Sequence, residues 1–163
     1  MTSQQLADSG GAEATSGPTQ VVTCFLLRRD RGKDEILLAR RSERVRTYRG
    51  AWAAISGYIE RGVTPLEQAF QEVREETGFQ REDVTLLCTG EALAFRDASI
   101  AQEWVVHPFL FLALRPDAAQ HDWEAREFAW TAPGAVNALQ TVPQLAEALA
   151  RVYPPEAQHR ADA

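Results

Sequence analysis

The sequence predicts a mixed α/β domain, with helices packed against a mixed β-sheet. Three observations predict it. Several apolar runs of strand length are separated by turn residues. One central segment, 64–77, carries a helical period and signals at both ends. Two helix-like segments follow the last strand. The 163 residues are enough for one domain with a real core.

Residues 1–19 are rich in Ser, Thr, Gly, Ala and Gln and read as a disordered tail, with the domain spanning 20–153. TQVVTCFLLRR (19–29) is an apolar strand. DRGKD (30–34) supplies a turn, and EILLARR (35–41) completes a hairpin. SERVRTYRG (42–50) is a basic loop, and AWAAIS (51–56) is a short strand running into Gly57. The helix 64–77 has Thr64 to cap it, Pro65 at its first position, Glu67 three residues after the cap and Gly78 at its end. DVTLLCTG (83–90), EWVVHPFLFLAL (103–114) and REFAWTA (126–132) read as strands, with a loop or lid at 91–103. PGAVNAL (133–139) and VPQLAEALARVY (142–153) read as helices, and 154–163 as a polar tail.

Composition excludes several classes. Hydrophobic residues at 45% and charged residues at 25% are ordinary for a soluble protein. No apolar run approaches the roughly 18–20 residues that span a bilayer, so no membrane partner is expected. The first residues lack the basic start and apolar stretch of a secretory signal. Cys24 and Cys88 each sit in strand-like apolar text, as small core residues do, and a reducing cytoplasm is the expected compartment. Net charge is −6, but segment 21–50 holds nine Arg/Lys against four Asp/Glu. Such an acidic chain is not expected to bind nucleic acid non-specifically. A basic segment beside an acidic one suits a small phosphorylated ligand, although from charge alone solvated surface arginines are the favoured reading.

The helix holds the candidate chemistry. Leu66, Ala69, Phe70, Val73 and Thr77 form one apolar stripe. At about 100° per residue, Glu72, Glu75 and Glu76 cluster roughly 120° from its centre and so flank the buried face. These acids repel one another and oppose the helix dipole at its C-terminal end. Clustered carboxylates suit a hard cation such as Mg²⁺ or Mn²⁺, and a solvated acidic face is the plainer alternative.

The spacing of GYIERGVTPLEQAFQEVREETGF (57–79) resembles the Nudix box, G-x5-E-x7-R-E-U-x-E-E-x-G-U, with U aliphatic. Gly57, Glu72, Val73, Glu75, Glu76 and Gly78 match it, and Phe79 stands at the last apolar position. RTYRGAWAAISGYIE, EWVVHPFLF and TVPQLAEAL are similar to Nudix domains found attached to initiation-factor-2B-like domains. The resemblance implies a Nudix-like α/β/α sandwich. It also implies Mg²⁺- or Mn²⁺-dependent hydrolysis of a pyrophosphate bond in a nucleoside diphosphate linked to another group.

By that resemblance Glu72, Glu75 and Glu76 and the backbone carbonyl of Ser56 are metal ligands. A carboxylate serves as base: Glu75, or a loop acid such as Glu124 or Glu127. Glu76 is the other catalytic candidate. Arg40, Arg41 and Arg46 are candidates for holding phosphates, with Arg44 and Arg49 behind them. Trp104 and Trp123 are candidates for stacking on a base, although aromatics in such places are more often filler. His107 reads as a structural histidine. A small nucleotide-like partner is implied, and a homodimer is allowed because many relatives pair.

Two positions depart from the consensus. Val63 stands where it has Glu, and Gln71 where it has Arg. Glu60, in the same loop, is the candidate substitute. Gln brings a hydrogen bond without charge. The alternative is therefore a catalytically weak Nudix-fold module that binds a ligand or protein.

Overall fold

The structure is a computed structural model and describes residues 17–121 and 123–161. The tail expected over 1–19 lies mostly outside these residues, and Thr19 already begins the first strand. The strands are β1 (Thr19–Asp30), β2 (Lys33–Arg41), β3 (Trp52–Ala53), β4 (Ile55–Tyr58), β5 (Val84–Thr89), β6 (Leu93–Asp97), β7 (Gln102–Ala113) and β8 (Ala125–Thr131). The helices are α1 (Pro65–Thr77), α2 (Leu145–Ala150) and α3 (Pro155–Ala161). No described helix is long and apolar enough to cross a membrane.

The strands form a mixed eight-stranded sheet with the central order β3-β2-β1-β7-β5, while β4 joins β1, β6 joins β7 and β8 joins β2. The β1–β7 pair is parallel and the others are antiparallel. Arg31 and Gly32 both have positive φ, 52° and 76°, as a two-residue hairpin turn of matching twist requires. β1 then forks. Its end, Leu27–Asp30, pairs with β2, and its start, Val21–Cys24, pairs with β4. Residues 52–58 cross that fork, pairing first with β2 and then with β1.

Alternation along β1 loads both faces of the sheet. Val22, Cys24 and Leu26 pack with Ala69 and Val73 of α1 on one side. Phe25 and Leu27 pack with Val136, Leu145, Ala148, Leu149 and Val152 on the other. Helices thus cover both faces, which gives the α/β/α sandwich the sequence implied.

Three expectations change. Residues 91–103 do not form only a loop: Leu93–Asp97 pairs with Gln102–Val106, because Leu93 and Phe95 alternate inward against exposed neighbours. The helix expected over 142–153 is limited to six residues, since the Val142 N–H donates to the Trp52 carbonyl and the Trp52 N–H to the Gln140 carbonyl, which holds 140–142 extended beside β3. The polar tail at 154–163 contains α3, which begins at a buried Pro155 and is tied back by Gln158 Nε2 to the Ala150 carbonyl at 3.1 Å.

Candidate active site

α1 is built as its sequence indicates. Thr64 and Glu67 form a reciprocal capping box, Pro65 opens the helix, and Gly78 closes it with φ 80°. The buried residues of α1 are Gln68, Ala69, Glu72, Val73 and Thr77, whereas Leu66 and Phe70 are only partly buried. The buried face is therefore rotated from the expected stripe, and Glu72 lies within it, 2% exposed, instead of flanking it.

Gly57 makes that burial possible. A Cβ at this position would stand 2.0 Å from the Glu72 carboxyl carbon, so glycine is needed for close approach of β4 to α1. Glu72 Oε1 accepts from Gln68 Nε2 at 3.0 Å, and Gln68 Oε1 accepts from the Glu60 N–H at 3.0 Å. Glu76 is half-buried and its Oε2 accepts from the Ser56 N–H at 3.3 Å. Glu75 is exposed. Gln71 Nε2 donates to Glu75 at 3.1 Å and to Glu60 at 3.2 Å. The position that lacks the consensus arginine is thus occupied by a neutral donor shared between two acids. Val63 is partly buried and contributes only a backbone turn bond to Glu60.

Beside the acids opens a cavity of about 150 Å³, lined by Arg41, Arg46, Tyr48, Tyr58, Phe95 and Trp104 among others, with Ser56 and Gly57 in its wall. Tyr58 and Trp104 stack with centroids 6.3 Å apart. The Trp104 indole N–H is buried beside the Tyr48 phenol, outside full hydrogen-bond geometry. A smaller adjoining recess brings Arg41, Ser56, Glu76 and Glu124 together. Burial lowers the Arg41 guanidinium from its ordinary pKa, and Glu76 and Glu124 oppose that shift. Beneath them Cys24 is a core residue. Burial pushes its thiol well up, and Glu76 and Glu72 add to the effect.

Ser56, Gly57, Glu72, Glu76 and Arg41 are therefore gathered at one place, with Arg46 on the cavity wall. Glu60 and Glu75 are tied to each other through Gln71, and the Glu60 backbone reaches Glu72 through Gln68. Arg40 is directed elsewhere by strand alternation. It donates to the Gly50 carbonyl and pairs with Glu127 at 3.4 Å, which separates Glu127 from the acids of α1 and leaves Glu124 as the nearer loop acid. Trp123 is exposed, and His107 bonds Gln20 at 2.7 Å. Among the described residues, no three His, Cys, Asp or Glu side chains converge as a ready cation site. Tyr48, Tyr58, Phe95 and Gln68 were not singled out by sequence. Only Gln68 carried a local signal, its i, i+4 spacing from Glu72.

The family model described as the NUDIX domain matches residues 17–152. Among solved structures, an Ap4A hydrolase binary complex from C. elegans superposes with a TM-score of 0.70 at 19% identity, covering 89% of this chain and 99% of that one. A MutT protein from Methanosarcina mazei Go1 gives 0.67 at 21% identity, covering 91% and 99%. The NUDIX domain of Shewanella oneidensis NrtR complexed with ADP ribose gives 0.64 at 17% identity, covering 99% of each chain.

Proposed function

Because the chain belongs to the Nudix family, we propose that it is a hydrolase that cuts a pyrophosphate bond in a nucleoside diphosphate linked to another group. The observation that carries this reading is the juxtaposition of Glu72, Glu76 and the Ser56–Gly57 edge with Arg41 at a cavity of nucleotide-compatible chemistry. The aromatic walls suit a planar group, and Arg41 and Arg46 suit its phosphates.

A divalent cation fits the donor chemistry. Glu72, Glu75, Glu76 and the Ser56 carbonyl offer hard oxygens only, and Gly57 leaves the carboxylate of α1 room beside the strand. Bound there, Mg²⁺ or Mn²⁺ supplies charge neutralisation at the phosphates and an acidified water. The chain's own part is to orient. Arg41, held by the Thr47 carbonyl at 2.9 Å, presents its charge from a fixed place. Glu72 and Glu76 present the oxygens that would hold the cation, and a carboxylate, Glu75 or Glu124, takes the proton of the attacking water. Cys24 and Cys88 are buried thiols, not disulfide partners, and a reducing compartment suits them.

A second reading, a module that binds without efficient turnover, is favoured by Val63 and by the neutral Gln71 bridge between Glu60 and Glu75. Release of phosphate or nucleotide from dinucleotides, nucleotide sugars and nucleoside triphosphates, with Mg²⁺ and with Mn²⁺, decides between them. Turnover of at least one member is expected, with Glu76→Gln lowering kcat by about 100-fold. No turnover of any member, or an unaffected Glu76→Gln enzyme, rejects the hydrolase.

A further inference from the structure

We propose that Gln68 is the positioning residue for Glu72, orienting that carboxylate toward the cation site without neutralising it. The inference rests on the metal-binding part of the proposed function. Gln68 is fully buried, in the first turn of a helix whose other buried polar residues are Glu72 and Thr77. A glutamine amide is costly to bury unless both its ends are used, and here both are. Its Oε1 accepts from the Glu60 backbone N–H, and its Nε2 donates to Glu72 Oε1, each at 3.0 Å.

The orientation of the amide is determined by chemistry. A backbone N–H can only donate, so the end facing Glu60 must be the oxygen, and the NH₂ is turned onto Glu72. One side chain therefore couples the loop 59–64 to the buried carboxylate. Gly57 bounds the same carboxylate from the strand side. Gln71, at the consensus arginine position, sends its amide to Glu60 and Glu75. The two glutamines divide the work: Gln71 holds the exposed acid and Gln68 the buried one. An arginine would offset the charge of its partner, whereas an amide fixes geometry and leaves the full negative charge for a cation.

The test uses the full chain and Mn²⁺ alone, with binding followed by electron paramagnetic resonance. Wild type, Gln68→Met, Glu72→Gln and the double variant form a cycle. Methionine keeps the volume and removes the donor. Gln68→Met is expected to weaken Mn²⁺ binding roughly tenfold, and to add nothing once Glu72 is glutamine. Where hydrolysis is measurable, kcat falls with it while KM stays within about twofold. Circular dichroism checks folding, and Gln68→Ala carries the test if the methionine variant does not fold. Unchanged Mn²⁺ affinity overturns the proposal. So do losses that simply add in the double variant, and so does a wild-type chain that binds no Mn²⁺. The hydrolase reading fails separately. An intact Mn²⁺ cycle without turnover of any substrate sinks the enzyme and leaves Gln68 its role, whereas turnover with an unmoved Mn²⁺ affinity does the reverse.

Discussion

Gly57 and Glu72 show how one missing methyl group shapes the site. The carboxylate of α1 occupies the space where any other residue would place its Cβ, at 2.0 Å from the carboxyl carbon and 2.1 Å from Oε1. Gly57→Ala must therefore expel the Glu72 carboxylate, which is confined on its other side by Gln68. Two costs follow: strain of about 1–3 kcal/mol from overpacking, and loss of the oriented ligand. Gly57→Ala is expected to lose at least as much activity as Glu72→Gln, while near-native circular dichroism persists. Measured turnover equal to wild type would mean the carboxylate has another resting place that works as well.

At the scale of the element, α1 is where local and tertiary demands agree. Thr64 accepts from the Glu67 N–H and Glu67 accepts from the Thr64 N–H, so two orphan donors are satisfied by neighbours in sequence. Hydrogen bonds with Thr64 also lower the Glu67 pKa. Thr64→Ala should cost about 1 kcal/mol, a fall in Tm of about 3 °C, read by thermal denaturation, with substrate KM unchanged. A fall much larger than this would show the cap also fixes the loop that carries Glu60. That agreement explains why the helix, its caps and its acids were legible in the sequence. β6 was not, because its pairing with β7 is a tertiary contact and its outward residues, Ala94 and Arg96, look like loop. The true buried face of α1 was also hidden. Periodicity counts apolar residues, and Gln68 and Glu72 are polar residues buried by their bond to each other. The same limit applies to Arg40 and Arg41. Both looked alike as text, and only the pairing of β2 with β3 and β8 sends them to different surroundings.

At the scale of the whole molecule, distant segments are tied by phenol–carboxylate bonds. Tyr48, in the basic loop and at φ 53°, donates to Asp97 on β6 at 2.7 Å. Tyr153, after α2, donates to Asp34 on β2 at 2.6 Å. The first bond holds a left-handed tyrosine, a backbone state that side chains resist, and with it the wall of the cavity. Both phenols are pushed up to about 12, by burial first and then by the carboxylate each one bonds. A folded pKa above the ordinary value of about 10 means the protonated phenol favours the fold. That contribution is fully present below about pH 10 and is lost as pH rises through about 12. Lys33 is the chain's single lysine, and the Cys24 thiol and Arg41 guanidinium, whose pKa values are also shifted, are common to wild type and to variants of the two tyrosines. Stability to urea is therefore expected to hold to about pH 10 and to fall toward about pH 12, with tyrosinate absorbance rising over the same interval. At neutral pH, Tyr153→Phe should cost about 1 kcal/mol. The double variant Tyr48→Phe/Tyr153→Phe should start lower and decline less above pH 10, since it has no tethering phenol left to ionise. A double variant that declines as steeply as wild type would show that the alkaline transition belongs to other groups and that these two bonds do not govern it.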